Sequence, residues 1–193
     1  AGLKASDRLV VRMATRVGGA GGYQHYKKHR DQGDREMPVA IILGCPPCVA
    51  FMGPQKLPLD MDEMAIAGGL AGASINIVKA RTVDLMVPAE AELVIEGLVD
   101  TEMVEPEGPF GESHGHVALE EFNMPMRITA ITRRKNAILT SYISQAAPSE
   151  SSVIKRVAYE PLFLTHLRDA LGVKGVKKVS LHEPLTGLLR VTI

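Results

Sequence analysis

Short apolar runs and polar helical stretches alternate in the N-terminal part of the chain. RLVVRMA (8–14) is apolar and rich in β-branched residues, which predicts a strand, whereas YQHYKKHRDQ (23–32) has the composition of a polar helix. The glycines of GGAGG (18–22) predict a flexible connector between them. PVAIILG (38–44) is a continuous apolar run and predicts a buried strand, and DMDEMAIAGGLAG (60–72) predicts a helix capped by aspartate.

Beyond residue 72 the pattern changes to β-rich runs separated by turn-rich segments. These runs predict strands at SINIVKART (74–82), AELVIEGLV (91–99), MRITAITRR (126–134) and AILTSYIS (137–144), the last two joined as a hairpin around Lys135 and Asn136. Successive strands with helices before and after them predict an α+β domain built on a barrel or a sandwich.

The C-terminal segment predicts one more helix and two closing strands. Residues 149–172 have a helical apolar period, with Ser149 able to cap the helix and a glycine able to end it. Pro161 should kink or split this helix. The runs VKKVSLHE (176–183) and GLLRVTI (187–193) predict the strands.

Composition fits a globular domain and narrows the classes of function. With 193 residues, 46% of them hydrophobic, the chain can bury a sizeable core as one large domain or one domain with an appendage. Its 22 basic and 22 acidic residues balance, so it lacks the electrostatic signature of proteins that bind nucleic acid or anionic membranes. No apolar run approaches the ~18 residues of a membrane span, and no secretory signal opens the chain. Because it begins without Met and ends on an apolar run, we expect a fragment of a longer protein, truncated at both ends.

The two cysteines, Cys45 and Cys48, lie in the segment GCPPC, at the end of the predicted strand 38–44. This spacing after a strand is typical of a thiol oxidoreductase, which would require a lowered thiol pKa at Cys45. A structural zinc site would need about four ligands, and no second cysteine pair completes one. The other interpretation is two small buried side chains beside a Pro-Pro turn. So few cysteines favour a reducing, cytoplasmic location.

Two acidic residues, Glu107 and Glu112, stand out in the segment PEGPFGE (106–112), whose glycines and prolines permit a tight turn. Two carboxylates held close together raise one of their pKa values, so that one can stay protonated near neutral pH and act as a general acid. The alternative is a solvated acidic turn.

Other candidate residues carry weaker signals. Glu63 lies in the first turn of the predicted helix 60–72, where the helix dipole favours a carboxylate whatever its function. His25 could be a metal ligand, an anion contact or a surface histidine. His114 and His116 would point to one side of an extended segment, but no third ligand accompanies them.

Several of these segments resemble the UbiD family of prenylated-FMN-dependent decarboxylases of aromatic and α,β-unsaturated acids. The resemblance is carried by VDLMVPAEAELVIEG (83–97) followed by PEGPFGE (106–112), and it extends through PVAIILGCPP (38–47), DEMAIAGGLAG (62–72) and INIVKARTVDL (75–85). It implies that residues 1–193 are mainly the central domain of such an enzyme, a split β-barrel related to flavin reductases, with the N-terminal and C-terminal domains of the family absent.

The resemblance also implies roles for individual residues. Glu112, the final acid of PEGPFGE, would deliver the proton after carbon dioxide leaves, and Glu107 would be its partner in a network over the flavin. Gln24 would lie against the cofactor. His25 and Glu63 would hold a manganese ion that bridges to the cofactor phosphate.

Further implications concern a second metal and two missing residues. A potassium ion in relatives uses backbone carbonyls that match the region of Met52, Gly53 and Gln55. In an ungapped comparison, the catalytic arginine and the metal-binding asparagine of the family fall before Ala1, and Arg12 matches a strand position instead. We therefore expect the isolated chain to bind the cofactor weakly and not to turn over substrate.

Two hypotheses of different classes follow from the resemblance. The first is a reversible decarboxylase, homo-oligomeric when full length and supplied with cofactor by a flavin prenyltransferase. The second is a catalytically inactive flavin-binding split-barrel module with a structural or assembly role. The arginine and asparagine, if encoded upstream in the full-length gene, would favour the enzyme.

Overall fold

The computed structural model describes residues 2–11, 21–53, 57, 61–111, 117–118, 121–142 and 149–181. These residues form two compact units. The first unit comprises the described residues within Ala1–Glu107 and Glu121–Thr140, and the second comprises those within Gly108–Glu120 and Ser141–Ile193.

The first unit holds most of the strands. Its strands are β1 (Gly2–Ala5), β2 (Arg8–Val11), β3 (Glu36–Leu43), β4 (Ile77–Lys79), β5 (Met86–Pro88), β6 (Leu93–Asp100), β7 (Glu105–Glu107) and β10 (Glu121–Arg133). Its helices are α1 (Gly21–Asp31), α2 (Pro47–Met52) and α3 (Glu63–Ala71). The second unit contains β8 (Phe110–Gly111), β9 (Val117–Ala118) and α4 (Glu150–Thr165), which continues into a π-helical turn, His166–Ala170.

An antiparallel sheet of six strands organises the first unit, in the order β1-β2-β10-β6-β3, with β7 added against β10. β10 is 13 residues long, and its length lets it pair with β7 at its start, with β2 in its middle and with β6 at its end. The register of β10 against β6 shifts between Ile128 and Ala130, which marks Thr129 as a bulge. The long strand therefore connects the core of the sheet to the segment that carries Glu107.

Each face of this sheet carries an apolar cluster. Because successive strand residues point to opposite faces, β6 contributes Val99 to one apolar cluster and Val94 to another. The first cluster includes Tyr26 of α1 together with Val11, Met37, Met124 and Met126. The second cluster packs the sheet against the segment that contains β4 and β5, through Ala80, Val83, Val87 and Ala91.

Several predicted elements are confirmed, chiefly where local chemistry defines them. The strands at Arg8–Val11 and Leu93–Asp100 form as expected, and Asp62 caps α3 by accepting hydrogen bonds from Met64 N at 2.8 Å and Ala65 N at 3.3 Å. Gly72, with φ 65°, ends α3. Ser149 caps α4 in a reciprocal capping box with Ser152. The mixed α and β composition with antiparallel sheets confirms the α+β class, and the split barrel stays a prediction.

Other predictions are wrong, and tertiary contacts explain the difference. β3 forms an edge of the sheet with mostly half-buried side chains, so PVAIILG is not a fully buried strand. The hairpin around Lys135 and Asn136 has its turn but no second strand over residues 137–142, because Ile138 N donates to the Glu92 carboxylate at 3.0 Å instead of pairing with a strand. Gly21 and Gly22 begin α1 and are not a connector.

The C-terminal predictions also need correction. α4 continues through Pro161 without a split, and the π-helical turn follows it directly. Residues 176–181, predicted as part of a strand, are not a strand; Arg168 donates to the Val176 carbonyl at 2.7 Å there. The strand predicted at 187–193 lies outside the described residues.

Candidate functional site

Glu107 is the last residue of β7 and is almost completely buried, with 5% of its surface exposed. Asn123, on the neighbouring strand β10 and 1% exposed, donates from Nδ2 to Oε2 of Glu107 at 3.1 Å. The register that pairs Glu105 with Asn123 places all three side chains on one face of the two strands. A buried carboxylate requires such a donor, because an unpaired charge out of water is strongly destabilising. The prediction of a solvated acidic turn is therefore wrong for Glu107.

The chain that follows Glu107 belongs to the second unit. Gly108 has φ 102°, a backbone conformation that residues with a Cβ rarely adopt, and the Gly108–Pro109 peptide bond is cis. The positive φ explains why glycine occupies position 108. Glu112, the predicted proton donor, lies outside the described residues, as do His114 and His116. The predicted pairing of Glu112 with Glu107 thus stays a prediction.

An ion pair lies on the same face as Glu107. Arg8 of β2 contacts Glu105 of β7, with Nη1 and Oε1 2.8 Å apart, and the Glu105 side chain is only 17% exposed. Strand alternation puts Glu105 beside Glu107 on this face. The ion pair joins β7 to β2, so it helps to fix the strand that carries Glu107.

Helix α1 carries two of the predicted cofactor residues near its N-terminal end. Gln24 is half-buried and His25 is exposed. The next residue, Tyr26, fixes the helix, because its ring packs in the core and its hydroxyl donates to the Thr101 carbonyl at 2.8 Å. Burial raises the pKa of Tyr26, and the nearby Arg30 guanidinium only partly opposes this effect. α1 is therefore anchored at its start, where Gln24 and His25 lie.

Glu63 occupies the first turn of α3, directly after the capping residue Asp62, and its side chain is exposed. Imidazole and carboxylate are donors that suit a divalent ion such as manganese, so the chemistry of His25 and Glu63 fits the predicted metal. Among the described residues, however, no three His, Cys, Asp or Glu side chains come together as a metal-binding group. A metal held by His25 and Glu63 would need a further ligand from elsewhere.

The cysteine pair does not have the properties of a redox site. Cys48 lies in the first turn of α2 and Cys45 just before it, as in many thiol oxidoreductases, and both are partly buried. Burial raises the pKa of Cys45, and the neighbouring Cys48 thiol raises it further. This direction is opposite to the lowered thiol pKa that a thiol oxidoreductase requires. Met52 and Gly53, matched to a potassium site, end α2 nearby, and Gln55 lies outside the described residues.

Sequence reasoning missed Asn123 and Tyr26. Asn123 is a single amide inside the apolar segment FNMPM, and this isolated polar residue was the available signal. Its contact with Glu107 depends on strand register over 16 residues of chain, which the pattern does not determine.

No helix in the described part of the chain is both long and apolar enough to cross a bilayer.

The sequence matches a known family over most of its length. Residues 3–147 match the family model described as UbiD, the 3-octaprenyl-4-hydroxybenzoate carboxy-lyase Rift-related domain. A curated relative, the uncharacterized protein sll0936 of Synechocystis sp., is 34% identical over 134 residues, which cover 69% of this chain and 26% of that protein.

Solved structures have a similar fold. The UbiD-class enzyme HmfF from Pelotomaculum thermopropionicum, in an evolved dimeric form in complex with prFMN, matches with a TM-score of 0.82 and 29% identity over 95% of this chain and 41% of that one. Vanillic acid decarboxylase from Sedimentibacter hydroxybenzoicus, in its closed form, matches with a TM-score of 0.78 and 25% identity over 93% of this chain and 37% of that one. The chain thus spans only 26% to 41% of the length of these three relatives.

Proposed function

The chain belongs to the UbiD family, and we propose that it is the central, cofactor-binding domain of a prenylated-FMN-dependent decarboxylase. Its substrates would be aromatic or α,β-unsaturated carboxylic acids, with a reaction that can also run as a carboxylation. The observation that supports this proposal most directly is the carboxylate of Glu107, which is buried and accepts a hydrogen bond from the side-chain amide of Asn123. It lies in the segment that resembles the catalytic motif of the family.

The reaction exchanges one bond for another. The bond between the carboxylate carbon and the substrate breaks, carbon dioxide leaves, and a C–H bond forms at the same position. The flavin, when bound, would supply an electron sink for the charge left on that carbon. Glu112 would hold the required proton on a carboxyl oxygen and deliver it, and Glu107 would be its partner.

The remaining site residues would bind and orient the cofactor. Gln24 would lie against the flavin, while His25 and Glu63 would hold a manganese ion at the cofactor phosphate. The positive end of the α1 dipole favours a phosphate near the start of the helix; Gln24 lies in the first turn and His25 follows it. Backbone carbonyls near Met52 and Gly53 would serve a potassium ion.

The relatives support the wider parts of the proposal. The HmfF structure contains prFMN, and the vanillic acid decarboxylase is named for an aromatic acid. We infer a split-barrel domain within a longer, homo-oligomeric protein that depends on a flavin prenyltransferase for its cofactor.

The test uses the longer protein, produced together with a flavin prenyltransferase. The bound small molecule is released without oxygen and weighed by mass spectrometry, manganese is assayed, and a panel of aromatic and acrylic acids is screened for release of carbon dioxide. We expect prenylated FMN, stoichiometric manganese and turnover that Glu112→Gln abolishes without loss of flavin. Glu102→Gln, the same substitution at an exposed position, is the control and should leave turnover unchanged. Flavin without turnover on any acid would instead favour an inactive flavin-binding module, and the absence of flavin would refute the cofactor assignment.

A further inference from the structure

The two strands β7 and β10 have an inverted distribution of polar and apolar side chains where they pair. Their backbone register joins three pairs of residues: Glu107 with Glu121, Pro106 with Phe122, and Glu105 with Asn123. Because side chains alternate along a strand, Glu107 and Asn123 lie on one face and Phe122 on the other. Glu107 and Asn123 are buried, whereas Phe122 is 63% exposed. The strands thus bury an acid and an amide and expose an aromatic ring, the reverse of what burial alone favours.

Asn123 uses only one of its two polar groups within the described structure. Nδ2 donates to Oε2 of Glu107, whereas Oδ1 is buried and accepts no hydrogen bond from any described residue. No other buried side-chain nitrogen or oxygen in the described residues lacks a partner. An unpaired buried carbonyl is destabilising, so this oxygen calls for an explanation.

An amide beside a carboxyl group can serve both of its protonation states. Its N–H donates to the ionised carboxylate, and after rotation of the amide its carbonyl accepts from the protonated acid. Backbone N–H groups can do only the first. A residue placed beside an acid that passes protons would need this property, and the buried position of Asn123 keeps water from taking its place.

We propose that Asn123 is a positioning residue for the reaction. It fixes the carboxyl group of Glu107 in either protonation state: its N–H donates to the carboxylate, and its oxygen, which accepts nothing from the described residues, is available to the protonated acid. This inference rests on the proposed function, because it gives Asn123 a purpose only if Glu107 takes part in the chemistry.

The contact itself is tested on this chain, without cofactor, by a double-mutant cycle of Asn123→Leu and Glu107→Gln, read by unfolding in urea. Asn123→Leu should lower the folding equilibrium constant about tenfold with Glu107 present and clearly less in the Glu107→Gln background, because a buried carboxylate loses more than a buried amide when its donor is removed. Asn123→Ser, which is smaller and polar, serves for the cycle if Asn123→Leu does not fold. Equal effects in both backgrounds would overturn the proposal.

A second pair in the chain provides the matched control. Asn76 Nδ2 donates to Oε1 of Glu90 at 2.8 Å, an amide–carboxylate contact of the same kind, but at the surface. Water replaces the lost donor there, so Asn76→Leu should change the folding constant by less than about twofold.

The role in catalysis is tested in the longer, flavin-loaded protein. Asn123→Leu should lower kcat about tenfold or more per bound flavin, leave KM within about twofold, and change the pH profile of kcat, whereas Asn76→Leu should change none of these. A purely structural Asn123 would reduce the yield of folded protein and leave kcat per bound flavin and its pH profile unchanged, which would overturn the proposal.

The two experiments separate this inference from the function on which it rests. If the loaded, unmutated protein does not decarboxylate any acid, the proposed function fails, and the role of Asn123 fails with it even if the cycle shows coupling. If the protein is active but the cycle shows no coupling, only the role of Asn123 is lost.

Discussion

Two carboxylates in the first unit, Glu96 and Glu107, are almost completely removed from solvent but are held in different ways. Glu96 accepts from the backbone N–H groups of Arg81 and Thr82 at 2.9 and 2.6 Å, and from the Thr82 hydroxyl at 2.8 Å. Glu107 lies instead beside the side chain of Asn123, which can rotate. Fixed backbone donors favour one charge state permanently, whereas an amide accommodates two. The hydrogen bonds of Glu96 fit a structural acid, and the function proposed above makes Glu107 a functional one.

The strongest test of this contrast is to neutralise each acid in the longer, flavin-loaded protein. Glu107→Gln should lower kcat by roughly 10²- to 10⁴-fold, the range for removing a group from proton transfer, while flavin content stays unchanged. Glu96→Gln should leave kcat per bound flavin within about threefold, because the carboxylate of Glu96 accepts hydrogen bonds from the loop that follows β4. The contrast would be broken if Glu96→Gln were the variant with the larger loss of kcat.

The second test measures stability instead of activity, and here the larger effect is expected at Glu96. In this chain, Glu96→Gln should reduce the free energy of unfolding by about 2–4 kcal/mol, because a neutral amide cannot accept all the hydrogen bonds that the loop donates to the carboxylate. Urea unfolding at neutral pH measures this loss. Thr129→Val is a milder companion, since the Thr129 and Thr82 hydroxyls are 2.6 Å apart and only the outer contact is removed. A Glu96→Gln protein as stable as the unmutated chain would contradict the structural role.

The third test uses pH. Burial alone would raise the pKa of Glu96, but hydrogen bonds from Arg81, Thr82 and Val83 outweigh it, so the folded pKa lies below the ordinary value. The stabilisation by Glu96 is therefore present above the unfolded pKa of about 4.3 and is lost as pH falls through the lower folded value. Below about pH 4, the unfolding free energy of the unmutated chain should fall more steeply than that of Glu96→Gln. Parallel pH curves for the two proteins would rule out this linkage.

The difference between these two acids also shows what the sequence could predict. Helix caps at Asp62 and Ser149 were predictable, because a cap depends on a side chain and the backbone N–H groups two or three residues away. The motif that contains Glu107 was recognisable because it is also local: its residues form one contiguous segment of the chain.

The contacts that distinguish the two acids could not be predicted in this way. Glu96 meets its loop across 14 or 15 residues of chain, and Glu107 meets Asn123 across 16. The Glu107 contact depends on the register of β7 against β10, and the Glu96 contact depends on how the loop after β4 packs against β6. The missing strand after Asn136 has a similar origin, since Ile138 is held by the side chain of Glu92, far away in the sequence.

A smaller effect is expected where α1 is anchored to the same sheet. Tyr26→Phe removes the hydroxyl that donates to the buried Thr101 carbonyl, and should cost about 1 kcal/mol of unfolding free energy. Because the next residues toward the start of α1 are His25 and Gln24, the looser helix should also weaken flavin binding a few-fold in the longer protein. Equilibrium binding of flavin and urea unfolding provide the two measurements, and Tyr23→Phe on the same helix is the control. Unchanged flavin affinity in a destabilised Tyr26→Phe protein would separate α1 from the cofactor site.

The smallest effect is expected at the cysteines, which pack against the apolar cluster of α2 and α3. Since burial and the Cys48 thiol raise the pKa of Cys45, little thiolate exists at neutral pH to act as a nucleophile. Alkylation of Cys45 followed against pH should have its midpoint above the ordinary thiol value of about 8.5, and Cys45→Ser should change turnover by less than about twofold. A midpoint near neutral pH would mean that this chain contains a reactive thiol in addition to the two acids of the segment PEGPFGE.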